Sequence, residues 1–219
     1  MLTAIIPARS GSKRLKNKNI LPFSDSNLLI HKIRQLKQVR YIDKIIVSSD
    51  SNEYLNMARR ECVDTHKRES EYSDEISKSF GEVVEKICSD IDGDDILWAT
   101  CTSPFVNSEL YNKAILKYKE NVPLNNDSLV SFEPFRRYIW DENGPLNYKL
   151  GIEHVPSQQL KQLYYVTDGI LIAPRLEMIR WKYFHGPNPY KFILDKKSSI
   201  DIDDNFDYHI SYILEKYDK

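Results

Sequence analysis

The sequence predicts an α/β fold in which a mostly parallel sheet carries helices on both faces. Three observations point there. Short, largely apolar runs rich in β-branched or bulky residues fall at 2–6, 44–48 and 95–99, too short for helices, and read as buried strands. Between them apolar residues recur at the three-and-four spacing of amphipathic helices. Strand and helix then alternate over the first 132 residues, the order that builds a parallel sheet with right-handed crossovers.

Taken in order, Leu29, Ile33 and Leu36 share one face of a helix expected near 27–39. Ile76, Phe80, Val83, Val84 and Ile87 do so across 74–88, and Leu110, Ala114, Ile115 and Tyr118 across the next helix. A strand is expected at 128–132. From 133 to 162 the pattern breaks at Pro134, Gly144, Pro145 and Pro156, which reads as an irregular excursion from a single domain spanning 1–219. Strands are expected again at 169–173, 190–194 and 200–203. A last helix presents Phe206, Ile210, Ile213, Leu214 and Tyr217 on one face.

The charge balance narrows the partners. With 31 Lys and Arg against 32 Asp and Glu, the chain has no global field for a nucleic acid or an anionic membrane. Cys62, Cys88 and Cys101 are odd in number and widely spaced, which argues against a disulfide framework or a structural zinc site. No apolar run is long enough to cross a bilayer, so a cytoplasmic protein is expected. His31, His154 and His185 stand alone and are read as structural or exposed.

One local cluster departs from the balance. Arg9, Lys13, Arg14, Lys16 and Lys18 crowd the segment after the first strand, interleaved with Ser10, Gly11 and Ser12. In an open α/β sheet, ligands bind outside the carboxyl ends of the strands, and small residues let backbone N–H groups approach a phosphate. A solvated basic loop is the plainer alternative. There is no Gly-x-x-x-x-Gly-Lys-Ser/Thr and no Gly-x-Gly-x-x-Gly, so two common phosphate loops are excluded.

A second cluster lies near the C-terminus, where Ser199-Ile200-Asp201-Ile202-Asp203 alternates apolar and acidic residues. In a strand this puts both carboxylates on one face, an arrangement suited to a hard divalent cation shared with substrate phosphates. Against this stands a helix cap by Asp203 or Asp204.

Together these segments resemble the acylneuraminate cytidylyltransferase (CMP-sialic acid synthetase) family. Pro7-Ala8-Arg9, Ser12-Lys13 and Lys18-Asn19 stand at the spacing of its opening signature, and residues 199–203 are identical to its Ser-Ile-Asp-Ile-Asp. The resemblance implies a Rossmann-like three-layer sandwich of the nucleotide-diphospho-sugar transferase type, CTP as co-substrate, Mg²⁺ or Mn²⁺, a sugar-acid acceptor and a homodimer. It assigns Arg9, Lys13 and Lys18 to the triphosphate, lined by Ala8, Ser10, Gly11 and Ser12, with Asn19 near the cytidine. Asp201 and Asp203 would hold the metal, and Asp203 is the candidate base. Val47-Ser48-Ser49-Asp50 is similar to its Val-Ser-Thr-Asp. Lys67 and Arg68, with Asp74, resemble the segment beside the base and ribose, although Asp74 could equally cap a helix.

The acceptor motifs match less well. Thr102-Ser103-Pro104, Gln158-Gln159-Leu160 and Asp168-Gly169 resemble family segments, but Thr100, Ser157, Val106 and Val166 replace a glutamine and three arginines. Lys161, Arg136 or Arg137 could supply a missing cation for the acceptor carboxylate. The excursion would reach a neighbouring subunit or fold over its own as a lid. Two other readings stay open: a metal-dependent nucleotide-sugar glycosyltransferase, and a non-catalytic CTP-binding protein.

Overall fold

The computed structural model describes residues 1–217 apart from 75 and 123. One sheet contains seven strands: β1 (Leu2–Pro7), β2 (Lys44–Ser49), β3 (Asp64–Lys67), β4 (Asp95–Trp98), β5 (Ser128–Phe135), β6 (Leu163–Pro174) and β7 (Pro189–Ile193). Their order is β7-β5-β6-β4-β1-β2-β3. β6 runs antiparallel to both neighbours and every other pairing is parallel. The predicted α/β class holds.

The alternation within β1 shows how the sheet feeds two cores. Ala4 and Ile6 face one side with Val47 and Leu97, while Ile5 faces the other with Ile46, Ile96 and Trp98. The first side is covered by α1 (Leu28–Lys37), α2 (Asn52–Arg60) and α4 (Ser108–Asn121), the second by α3 (Phe80–Asp90) and α5 (Arg175–Trp181). Both faces of a central parallel strand are therefore dry, which is why β1 is apolar at every position but Thr3.

Several expectations need correction. The helix expected over 74–88 starts at Phe80, because Ser79 caps it in a reciprocal box with Glu82. Asp74 instead accepts bonds from the Ile76 and Ser77 amides, both at 2.8 Å, closing a turn before the helix, and Ile76 is exposed. Residues 200–203 form no strand. Ile202 is fully buried and donates its amide to the Thr102 carbonyl at 2.8 Å, so the alternation there marks one anchored side chain between two loop carboxylates. The cap of α6 (Asn205–Tyr217) is Asp204, which accepts from the amides of Phe206 and Asp207. That leaves Asp201 and Asp203 outside the capping role.

The sequence pattern did not reveal α2, β3 or α5. β3 is an edge strand of sequence Asp-Thr-His-Lys, with no apolar period to read. The excursion also begins later than its composition suggests, since Glu133–Phe135 and Leu163–Tyr165 pair as extensions of β5 and β6. Beyond them lie a two-residue ribbon and short turns, packed around Tyr138, Tyr148 and His154. The apolar face of α6 forms as expected but is not core: Phe206, Ile213 and Tyr217 are exposed.

Candidate active site

Parallel strands end on one edge of the sheet, and the chain leaving each of β1 to β4 turns there into a loop. After β1, the Ala8 amide continues the ladder onto the Ser48 carbonyl at 2.9 Å. Asp50, just past β2, accepts from both the amide and the hydroxyl of Ser10, at 2.9 and 2.6 Å. Asn19 is buried and donates to the Arg9 carbonyl at 3.0 Å. Asn17 adopts a left-handed conformation (φ 55°) that turns the chain into Lys18–Ile20, one that asparagine tolerates better than most residues. The basic loop is thus fastened at both ends and curved around its own backbone.

A cavity of about 520 Å³ opens beside this loop. Arg9, Ser12, Lys18, Asn19, Arg68, Thr100, Thr102 and Asp168 line it, all predicted from sequence. Its apolar wall is Phe80, Val83, Trp98, Leu171 and Phe184; sequence reasoning missed the first four because they fall in expected helices and strands, and Phe184 because it lies in none. Between Lys67 and Arg68 the geometry chooses. Lys67 turns away to Asn52 at 2.9 Å, whereas Arg68 is buried on the cavity wall and donates to the Ser48 carbonyl at 3.2 Å. Burial pulls the Arg68 guanidinium down to about 10, the Asp50 carboxylate opposes that fall, Arg9 adds to it, and the Arg68 Nε has no partner. Two crowded guanidiniums with a donor to spare are a demand for an acceptor between them.

Other predicted residues stand outside the cavity wall. Ala8, Ser10, Gly11 and Ser103 belong to the loops behind it, Gly169 to the irregular stretch of β6, and Lys13 lies near Asp74; these, with Asp201 and Asp203, are beyond the lining. Gln158 and Gln159 are exposed in a short turn, where Arg136 donates to the Gln158 carbonyl at 3.2 Å.

The carboxylates gather at the rim beside Lys18, where Asp168 lines the cavity and Asp201 and Asp203 lie outside its lining. Asp203 takes both terminal nitrogens of Arg14, at 2.9 and 3.0 Å, and Lys18 Nζ at 3.1 Å. This joins the C-terminal Asp pair to the N-terminal basic loop across 185 residues of sequence. Arg14 had no assigned role in the sequence reading beyond its place in the basic cluster. Asp201 is mostly enclosed. Desolvation raises its carboxyl, a Thr102 hydrogen bond and Lys18 oppose that rise, and its Oδ1 has no partner. Asp168 is open to the cavity yet hemmed by dense walls, and desolvation with Asp201 and Asp203 nearby pushes it up to about 6. Asp168 sits in β6 where the ladder shifts register between Val166 and Leu171, a bulge that aims one side chain out of the sheet.

Residues 3–146 match the family described as Cytidylyltransferase. The chain is 28% identical over 223 residues to the N-acylneuraminate cytidylyltransferase of Escherichia coli O18:K1:H7 (strain RS218 / NMEC), covering 98% of this chain and 52% of that protein. It is 25% identical over 220 residues to the pseudaminic acid cytidylyltransferase of Campylobacter jejuni subsp. jejuni serotype O:23/36 (strain 81-176), covering 97% and 95%. The chain therefore spans about half the length of the N-acylneuraminate relatives and nearly all of the pseudaminic acid one. In fold it resembles a CMP:2-keto-3-deoxy-manno-octonic acid synthetase solved with CTP, at a TM-score of 0.73 and 10% identity over 100% of this chain and 99% of that one. The match across residues 3–146 covers the basic loop, Arg68 and the Thr100–Thr102 wall alike, and this chain belongs to the cytidylyltransferase family.

Proposed function

We propose that this chain is a CTP-dependent cytidylyltransferase that joins CMP to a 2-keto sugar acid and releases pyrophosphate. The observation that carries the reading is the meeting of two charged rims at one cavity, tied by Lys18 and Asp203 at 3.1 Å. A phosphoryl transfer needs little covalent help from protein. It needs cations where charge accumulates and a fixed line of attack. Arg9, Lys18 and Arg68 supply the cations, with Lys13 and Arg14 within the same loop. The phosphates would replace Asp203 as the partner of Lys18 and Arg14, leaving that carboxylate to take a proton or a cation.

The donor set fits a hard cation, since Asp201 Oδ1 is enclosed and unpartnered beside Thr102 and close to Asp203. Among the described residues no three acidic, His or Cys side chains could cage an ion alone, so phosphate oxygens would complete the shell, as Mg²⁺ or Mn²⁺ prefers. Held by Asp201 and Asp203, such an ion would polarise the α-phosphate. Thr102 orients Asp201, and the Arg9 and Arg68 pair fixes the phosphate end against it.

The acceptor side is less occupied by matching residues, and Asp168, Gly169, Thr102, Ser103, Gln158 and Gln159 remain its candidates. We read the exposed apolar face of α6, together with Tyr164, Tyr165 and Val166, as the surface a second copy would cover. The cytoplasm, which holds CTP, suits the three free thiols. Pyrophosphate release across nonulosonic and ulosonic acids, with ATP, GTP and UTP as controls, tests the reading. Release that needs CTP and one sugar acid supports it, whereas a nucleoside phosphate freed from a sugar nucleotide with no pyrophosphate would favour a glycosyltransferase.

A further inference from the structure

We infer that Lys32 is a positioning residue: a buried ammonium that locks the loop after β4 to the bulge carrying Asp168 and so sets the geometry of the carboxylate rim. Lys32 lies on α1 among Leu28, Leu29, Ile33 and Leu36, and like them it is fully buried. Among the described residues no carboxylate bonds to it. Its three protons go to the Ser103 carbonyl at 2.9 Å, the Val106 carbonyl at 3.1 Å and the Tyr111 hydroxyl at 3.1 Å. In the charged form three donors thus meet three acceptors.

The Tyr111 hydroxyl then passes its own proton to the Gly169 carbonyl at 3.1 Å. Gly169 must be glycine there, since a Cβ would stand 2.8 Å from Val106 Cγ2. The same loop and bulge meet again at Thr100, whose hydroxyl donates to the Asp168 carbonyl at 3.0 Å. From the far side Ser131 holds the bulge by the Thr167 carbonyl and the Ile170 amide, at 3.1 and 2.9 Å. Next to Ser103, Thr102 receives the Ile202 amide and steadies Asp201. One ammonium therefore lies beneath both loops that aim Asp168 and Asp201. His31 and Gln35, on either side of it along α1, hold the Pro104 carbonyl at 3.1 and 2.7 Å, so the whole turn hangs from this helix.

Stability does not explain the choice. An uncompensated buried charge is costly, and an apolar residue of similar length would fill the space without that cost. Burial accordingly draws the ammonium down to about 7, with the Cys101 thiol opposing. What an apolar residue cannot do is hold two loop carbonyls and a relay hydroxyl at once.

The inference rests on the cytidylyltransferase reading, and its test separates the two. Lys32→Met and Tyr111→Phe would be compared with the wild-type chain by CTP calorimetry, steady-state pyrophosphate release and amide hydrogen exchange. The nucleotide grip hangs from Ser48 and Asp50, not from α1, so CTP affinity should stay within about twofold while kcat falls by about tenfold to a hundredfold. Exchange should rise about tenfold or more at residues 100–106 and 167–170, with β1 and α2 unchanged. Tyr111→Phe should show the same split more weakly. Exchange that rises uniformly with lost stability, or an unchanged kcat in a folded Lys32→Met chain, would overturn the inference. If the wild-type chain itself releases no pyrophosphate, the function fails, and the exchange pattern alone still decides whether Lys32 locks the two loops.

Discussion

The two rims of the cavity are built in opposite ways. The nucleotide rim is a contiguous basic loop fastened to the ends of β1 and β2 by backbone ladder, Asp50 and Asn19. The carboxylate rim is assembled from three distant segments, carrying Thr102, Asp168 and Asp201–Asp203, none of which is regular secondary structure except the bulged β6. A contiguous loop can be recognised from its own residues. An assembled rim exists only once the chain has folded, and its acids are costly until something neutralises them. The difference teaches that the chain holds its cations ready in one loop and meets them with Asp203, while burial raises the carboxyls of Asp168 and Asp201, with Lys18 bridging the two rims.

Breaking the carboxylate rim should have the largest effect. Asp201→Asn is expected to lower kcat by about a thousandfold or more at unchanged fold, measured by pyrophosphate release and circular dichroism. It should also lower the Asp168 carboxyl from about 6 toward the usual range, since one of the charges raising it is gone, and NMR titration would read this directly. Lys18→Met comes next, about a hundredfold in kcat/KM, because it removes a phosphate cation and the bridge to Asp203 together. Arg68→Met touches the nucleotide rim alone and should raise the KM for CTP by about tenfold with a smaller change in kcat.

The smallest effect sharpens the comparison through pH. The Lys32 ammonium falls from 10.5 unfolded to about 7 folded, so between those values the unfolded chain binds the extra proton and stability rises with pH. The wild-type chain should therefore gain on Lys32→Met as pH rises from about 7 to about 10, and be at its greatest disadvantage below 7. Cys101, Tyr111 and His31 surround Lys32 and remain in the variant; because Lys32 is one of the charges that lower the His31 imidazole, the paired denaturant melts are compared between about pH 7 and 10, above the histidine's range.

How much could be read beforehand follows the same division. β1, β2, β4, α1 and α4 were legible because their apolar residues keep the period of the element they form. β3 was not, being a polar edge strand, and α2 and α5 were too short for their periods to stand out. The alternation at 199–203 was a true signal about function under a mistaken geometry. Ile202 is buried by packing and one backbone bond to Thr102, not by a strand ladder, and the two acids part company, Asp201 inward and Asp203 onto Arg14 and Lys18. Arg14 was hidden by its equally basic neighbours. Lys32 had a signal: a lysine within an apolar stripe, four residues after Leu28, three after Leu29 and four before Leu36.

The account stands most directly on the fate of the α-phosphorus. CTP labelled there would be incubated with the chain, Mg²⁺ and a sugar acid, and the products separated. Label recovered in a CMP–sugar acid conjugate, beside unlabelled pyrophosphate, is the predicted result. Label that stays in CTP bound to the protein, or leaves as free CMP whatever acid is present, would contradict it.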